Sequence, residues 1–180
     1  MPLFSIITLI VVCGVIVFLI TSFYVAIFGG GPFMPTPYAA VHEVLKNAKI
    51  KKGQKVYDIG AGDGRFLHFA EKNYGADAVG FEIDPFVYFI AKIRHWFWRW
   101  KGKMVRSNFL KHDISDANVV LCYMLPKTLA KFQSKFDEEL KKGTIIVSYA
   151  FHIGDWKPKK VVPKAKGISQ IFVYEISSSK

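Results

Sequence analysis

The chain has 180 residues, 51% of them hydrophobic, with 25 Lys+Arg against 14 Asp+Glu for a formal net charge of +11. That length allows one domain of ordinary size, and the apolar content excludes a disordered chain. A mean hydropathy of +0.21 beside a pI of ≈ 9.6 implies that apolar and basic residues are segregated, and no Lys or Arg precedes Lys46.

Residues 3–28 carry no charge. At roughly 1.5 Å per residue, a helix over them crosses the roughly 30 Å hydrocarbon core with tilt to spare. The run is longer than a signal-peptide apolar region and lacks a basic lead and a small-x-small cleavage site. Residues 1–28 therefore read as a single transmembrane anchor. The Lys/Arg excess lies wholly after it, which assigns the remainder to the cytoplasmic side, or the equivalent face of an organelle membrane. Gly29, Gly30 and Gly31, followed by Pro32, Pro35 and Pro37, cannot continue a helix, so 29–37 is a linker.

A helix is expected after Pro37 through Val41, Val44 and Leu45, with a turn at 51–53. Strands are expected at 55–59, 78–82, around Val105, 119–123, 144–149, around Val161 and at 170–176. Helices at 65–74, 85–100 and 127–140 separate the earlier ones. Short apolar strands spaced by longer helices make this an α/β fold, a mostly parallel sheet covered on both faces. The domain spans 38–176 and leaves a tail at 177–180. Cys13 and Cys122 have no C-x-x-C neighbour, and His68, His95, His112 and His152 have no ligand spacing, so reduced thiols and no metal are expected.

The sharpest local feature is Val56-Tyr57-Asp58-Ile59-Gly60-Ala61-Gly62-Asp63-Gly64-Arg65, a strand running into a glycine turn and a helix. A dinucleotide fingerprint would need glycine where Arg65 stands, and a phosphate-binding P-loop would need a Gly-Lys-Ser/Thr ending. Asp58 at the strand end would repel a pyrophosphate and suit a cationic amino-acid ligand. In Gly80-Phe81-Glu82-Ile83-Asp84, Glu82 ends the next strand about twenty residues on, where a carboxylate accepts both hydroxyls of a ribose. A glycine turn built only for tight packing accounts for the glycines but not for that acid.

With these motifs the chain resembles the class I S-adenosylmethionine-dependent methyltransferases, whose Rossmann-like sheet has seven strands. More narrowly, it resembles the small membrane-anchored lysine methyltransferases that act on the ATP synthase c-subunit and the adenine nucleotide translocase, together with their prokaryotic relatives. The resemblance also rests on Pro35-Thr36-Pro37, Asn108-Phe109, Asp116 through Pro126 and Trp156-Lys157-Pro158. It implies S-adenosyl-L-methionine as cofactor. Gly60, Gly62 and Gly64 would pass under its methionine portion, Asp58 would hold its ammonium and Glu82 its ribose. Ala61 and Ile83 belong to the same cofactor-binding set. Asn108 and Phe109 would lie beside the adenine; Asn108 stands where related enzymes often carry Asp, and its amide still accepts a hydrogen bond.

The resemblance also implies a lysine acceptor on a membrane-associated protein. Tyr123, Tyr149, Asp155 and Trp156 are the candidates to accept its proton or hold the methylated ammonium by cation–π contact. The plain alternative makes Tyr123 and Tyr149 ordinary strand residues. Cys122-Tyr123-Met124-Leu125-Pro126 replaces the Asn/Asp-Pro-Pro-Tyr motif of many base-amine and glutamine methyltransferases, which disfavours a DNA acceptor. A lipid or quinone-like acceptor, or a non-catalytic cofactor-binding module, are the competing readings.

Helical spacing puts Phe86, Phe89, Ile90, Ile93, Phe97 and Trp100 on one stripe, expected to face the core. That leaves Trp96, Trp98, Arg94, Arg99 and Lys101 for a face suited to lipid headgroups. Aromatic and basic residues together also suit single-stranded RNA, but beside a membrane anchor the lipid reading is preferred.

Overall fold

A computed structural model describes residues 3–28 and 31–177. Gly29 and Gly30 of the expected linker and residues 178–180 of the expected tail lie outside the described residues. The first element, α1 (Leu3–Phe28), is long and apolar enough to cross a membrane, and its apolar window is not buried against the rest of the chain.

The strands are β1 (Lys55–Ile59), β2 (Asp77–Glu82), β3 (Lys103–Arg106), β4 (Val119–Cys122), β5 (Ile145–Tyr149), β6 (Lys160–Val162) and β7 (Ile171–Glu175). The helices after the first are α2 (Tyr38–Ala48), α3 (Arg65–Tyr74), α4 (Pro85–Trp98) and α5 (Pro126–Glu139), with a 3-10 turn at Phe109–Lys111. Among the described residues the strands form one seven-stranded sheet in the order β3-β2-β1-β4-β5-β7-β6. The first five strands in that order run parallel, and β7 is antiparallel to both β5 and β6.

Successive side chains on a strand point to opposite faces, and here both faces are apolar. Val56, Val119, Leu121, Val147 and Val173 pack with α2 and α3 on one side. Tyr57, Ile59, Val120, Ile146 and Phe172 pack with Leu129, Phe132 and Phe136 of α5 on the other. The order reverses at β1, which has β2 on one side and β4 on the other. Ile59 is level with Phe81 and with Cys122. The residues that follow these three, Gly60, Glu82 and Tyr123, therefore emerge together at the carboxyl edge, where open α/β sheets bind ligands.

Two departures from the expected pattern concern α4. The aromatic stripe does not face the core. Phe89, Ile90, Ile93 and Phe97 are exposed, and the buried side of the helix is Val87 and Ala91. Small residues on that side let α4 lie close over β2 and β3, so its bulkier residues point outward. The helix also ends at Trp98. Arg99 takes a left-handed conformation (φ 47°) and turns Trp100 inward beneath Gly64. The Glu71 carboxylate secures this reversal by accepting from the Lys101 and Gly102 N–H groups. Trp98, expected on the lipid face, instead lies half-buried against His68, with the Arg94 guanidinium 5.1 Å from its ring centroid.

The buried face of α2 can be tested directly. Leu45 is fully buried and Lys46 exposed. Leu45→Ala is expected to cost about 2–5 kcal/mol, read as a clear fall in melting temperature in detergent, whereas Lys46→Ala should stay within about 0.5 kcal/mol of the parent.

Candidate cofactor site

The glycine turn begins where β1 ends. Gly60 and Ala61 both donate backbone N–H groups to the Phe81 carbonyl, at 3.0 and 2.9 Å, which ties the turn to β2. Gly60 (φ 72°) and Gly62 (φ 57°) adopt left-handed backbone, which side chains disfavour. A Cβ on Gly60 would meet Met124 Sδ at 2.6 Å, and one on Gly62 would meet the Phe33 ring at 2.8 Å. Gly80 contributes by packing: a Cβ there would meet the Ala61 Cβ at 2.6 Å and Leu67 at 2.5 Å. Its signal in the sequence was only the absence of a side chain on an otherwise apolar strand.

Four buried acids surround this turn, and their partners differ. Asp63 is neutralised by Arg65, whose Nε lies 2.8 Å from Oδ1, and by Arg94, 2.7 Å from Oδ2. Glu82 accepts from the Gly62 N–H at 2.9 Å and the Asp84 N–H at 2.8 Å. Asp84 caps α4, accepting from the Phe86 and Val87 N–H groups. Asp58 differs from these three: its Oδ2 is buried and has no hydrogen-bond partner among the described residues. Burial, with Glu82 and then Asp63 nearby, raises its proton affinity well above the usual carboxylate range. Burial also raises that of Glu82, against the opposing effect of its backbone hydrogen bonds.

These groups line a cleft of ≈ 300 Å³ that also contains Ile83, Asn108, Phe109, Tyr123, Phe151 and Val25 of α1. S-adenosylmethionine fits the donors and acceptors present. The Asp58 carboxylate, which lines the cleft, would take its ammonium, and the glycine backbone would let its methionine portion pass closely. The Glu82 carboxylate, with lone pairs left beyond its two backbone bonds, would accept the ribose diol. Asn108 lines the cleft and its Oδ1 accepts from the Leu110 N–H at 3.0 Å, which fixes its amide. Phe109 is buried against Phe81 and Phe132.

A family profile described as the ANTKMT methyltransferase domain matches residues 58–160. The chain belongs to this family. It is 34% identical over 154 residues to a relative from Saccharolobus islandicus (strain REY15A) named protein-lysine N-methyltransferase, covering 83% of this chain and 96% of that one. It is 28% identical over 149 residues to the human lysine N-methyltransferase of the ATP synthase c-subunit, covering 82% of this chain and 62% of that relative. It thus spans less than two thirds of the human protein. Among solved structures, an RNA methyltransferase from Salinibacter ruber in complex with S-adenosyl-L-homocysteine superposes with a TM-score of 0.77 and 31% identity, covering 82% of this chain and 96% of that one. The family's cofactor is S-adenosylmethionine, and this chain is a methyltransferase on the same sheet.

Of the expected acceptor residues, Tyr123 and Tyr149 are brought together, and Asp155 and Trp156 lie elsewhere. Tyr123 lines the cleft with Phe151 beside it. Tyr149 is buried behind Tyr123, edge to face at 4.9 Å, and its hydroxyl accepts from the Ser169 N–H. Asp155 is exposed and accepts from Gln133. Trp156 packs on Phe136 and Tyr174 and borders a separate shallow hollow with Asp137 and Lys157. The Trp-Lys-Pro segment lies in the connection after β5, which descends along the α5 face and carries both residues away from the cleft. The segment from Tyr123, expected to line the cleft as far as Pro126, does bring Met124 and Leu125 to it. Sequence reasoning missed Phe33, which borders the glycine turn, and Arg65, whose guanidinium donates to the Thr36 carbonyl and fastens the proline segment to α3.

In the empty protein the raised proton affinity of Asp58 means that stability is fully present at low pH and lost as pH rises through that raised value. A bound ammonium reverses the preference, so binding expels the proton and tightens as pH rises. Calorimetry with S-adenosylhomocysteine should therefore show affinity falling as the pH is lowered through the raised Asp58 titration. Asp58→Asn should weaken binding by about tenfold to a hundredfold and flatten that dependence.

Proposed function

We propose that this chain is a membrane-anchored protein-lysine N-methyltransferase whose acceptor is a membrane-associated protein. The buried Asp58 oxygen without a partner carries the reading of the cofactor site. The lysine assignment is supported by the 34% identity to a protein-lysine N-methyltransferase. The anchor is supported by α1, and the nature of the acceptor by the human relative named for the ATP synthase c-subunit.

When bound, S-adenosylmethionine supplies an electrophilic methyl group on a sulfonium. Held by Asp58, Glu82 and the glycine turn, it would give that methyl to an amine approaching opposite the sulfur, the sulfur keeping the electron pair and the amine proton going to water. The protein's contribution is alignment. Asp58 and Glu82 would fix the two ends of the cofactor, and the glycine turn would set its depth. A lysine amine with a reference pKa near 10.4 must also become neutral. Entering a cleft walled by Tyr123, Phe151, Met124 and Leu125 disfavours its charged form.

Burial and the neighbouring Tyr149 raise the proton affinity of the Tyr123 phenol. It therefore stays neutral at working pH and acts as hydrogen-bond acceptor and aromatic wall rather than as the base. Tyr123→Phe should lower kcat by about tenfold, the loss of one hydrogen bond, with the cofactor Kd unchanged.

The acceptor class is tested by incubating native membranes with tritiated S-adenosylmethionine and the purified protein. The expected result is a labelled protein band containing methyl-lysine, absent with Asp58→Ala. Label confined to the organic extract would assign a lipid or quinone-like acceptor, and label in RNA would assign the nucleic acid; either result refutes the lysine reading.

A further inference from the structure

On α4 the outward face is apolar along its whole length. Trp96 is 73% exposed, Phe97 67% and Phe89 63%, and Ile90 and Ile93 join them between successive turns. These residues recur at the helical repeat and share a single stripe. A soluble surface does not carry such a continuous stripe without a partner. The stripe is bordered by bases: Lys92 falls one turn before Trp96, and Arg99, Lys101 and Lys103 follow the helix, all exposed. Its first residue, Phe86, meets Phe18 of α1 edge to face at 5.3 Å, so the stripe continues the apolar surface of α1.

From that helix the apolar surface reaches the cleft. Ile83, which leads into α4, is 40% exposed at the cleft edge, and Phe33, Met34 and Leu125 border the same opening with their side chains exposed.

We propose that α4 is an interfacial helix that lies in the headgroup layer of an anionic membrane and holds the mouth of the cofactor cleft against the lipid. Large aromatics beneath a basic border are what such a helix presents to the acyl boundary and to anionic headgroups. The continuity with α1 favours lipid over a soluble protein, because one apolar layer then covers both elements. This contact is additional to the anchor. It delivers the cleft to residues emerging from the bilayer, and so selects lysines close to a membrane surface.

The test uses the full chain in phosphatidylcholine vesicles, with and without about 30% phosphatidylglycerol, containing doxyl-labelled lipid. Trp98 is half-buried, Trp100 buried, and Trp156 lies on the other side of the sheet. Lipid quenching of tryptophan fluorescence should therefore come chiefly from Trp96, be stronger with the anionic lipid, and fall by more than about half in Trp96→Phe. The double substitution Phe89→Glu, Ile93→Glu alters exposed positions only. It should leave the melting temperature unchanged and reduce Trp96 quenching several-fold, while the chain still sediments with the vesicles. Quenching unaltered by both variants would overturn the proposal. A detergent-solubilised dimer that the double substitution dissociates would also overturn it and assign the face to a second copy. Extraction of the wild-type chain by an alkaline wash would refute the α1 anchor alone, and the Trp96 signal on anionic vesicles would still report on α4.

Discussion

A buried carboxylate oxygen with no partner among the described residues, Oδ2 of Asp58, is the constraint on which the rest of this molecule depends. Burying an ionised group without compensation is costly, and among the described residues no cation pairs with Asp58 although the chain has eleven more bases than acids. Arg65 and Arg94 both go to Asp63, a few residues away. Backbone N–H groups go to Glu82. Asp58 is thus left without a countercharge, which the ammonium of S-adenosylmethionine would supply. An active site commonly holds its titratable groups in such uncomfortable environments.

The sheet delivers this arrangement by register. Because β1 lies between β2 and β4 with their carboxyl ends level, the glycine turn, Glu82 and Tyr123 surround one opening. Close packing then sets its depth: Gly80 lets Ala61 and Leu67 press against β2, and Gly64 lets the Trp100 ring slide beneath the turn. From the other side, Arg65 holds the Thr36 carbonyl and stacks on Tyr38, and Phe33 covers Gly62. Phe33 and Thr36, which lie between α1 and α2, are therefore part of the wall of the cleft.

Much of the fold was legible because its signals are local. Strands such as Val119–Cys122 are short and apolar on both faces, as a covered parallel sheet requires, and the cofactor turn is written in contiguous residues. The misreadings arose where tertiary packing overrode local pattern. The α4 stripe has the periodicity of a core face, yet the core took Val87 and Ala91, because closeness to the sheet favoured small side chains over large ones. Trp100 left the helix because Arg99 reversed the chain. Asp155 and Trp156 have suitable chemistry for an acceptor pocket, but the path of the connection after β5 is invisible in sequence and carries them to the α5 side. Arg65 looked like a mere substitution in a dinucleotide motif, and its contact with Thr36 spans 29 positions.

The central claim is that Asp58 is kept buried and unpaired for a cationic ligand. Carbon-13 NMR titration of its side-chain carboxyl, in the empty protein and with S-adenosylhomocysteine bound, tests this most directly. The account predicts an apparent pKa above the ordinary carboxylate range in the empty protein and a marked fall on binding. A midpoint that does not move when the ligand binds would contradict it.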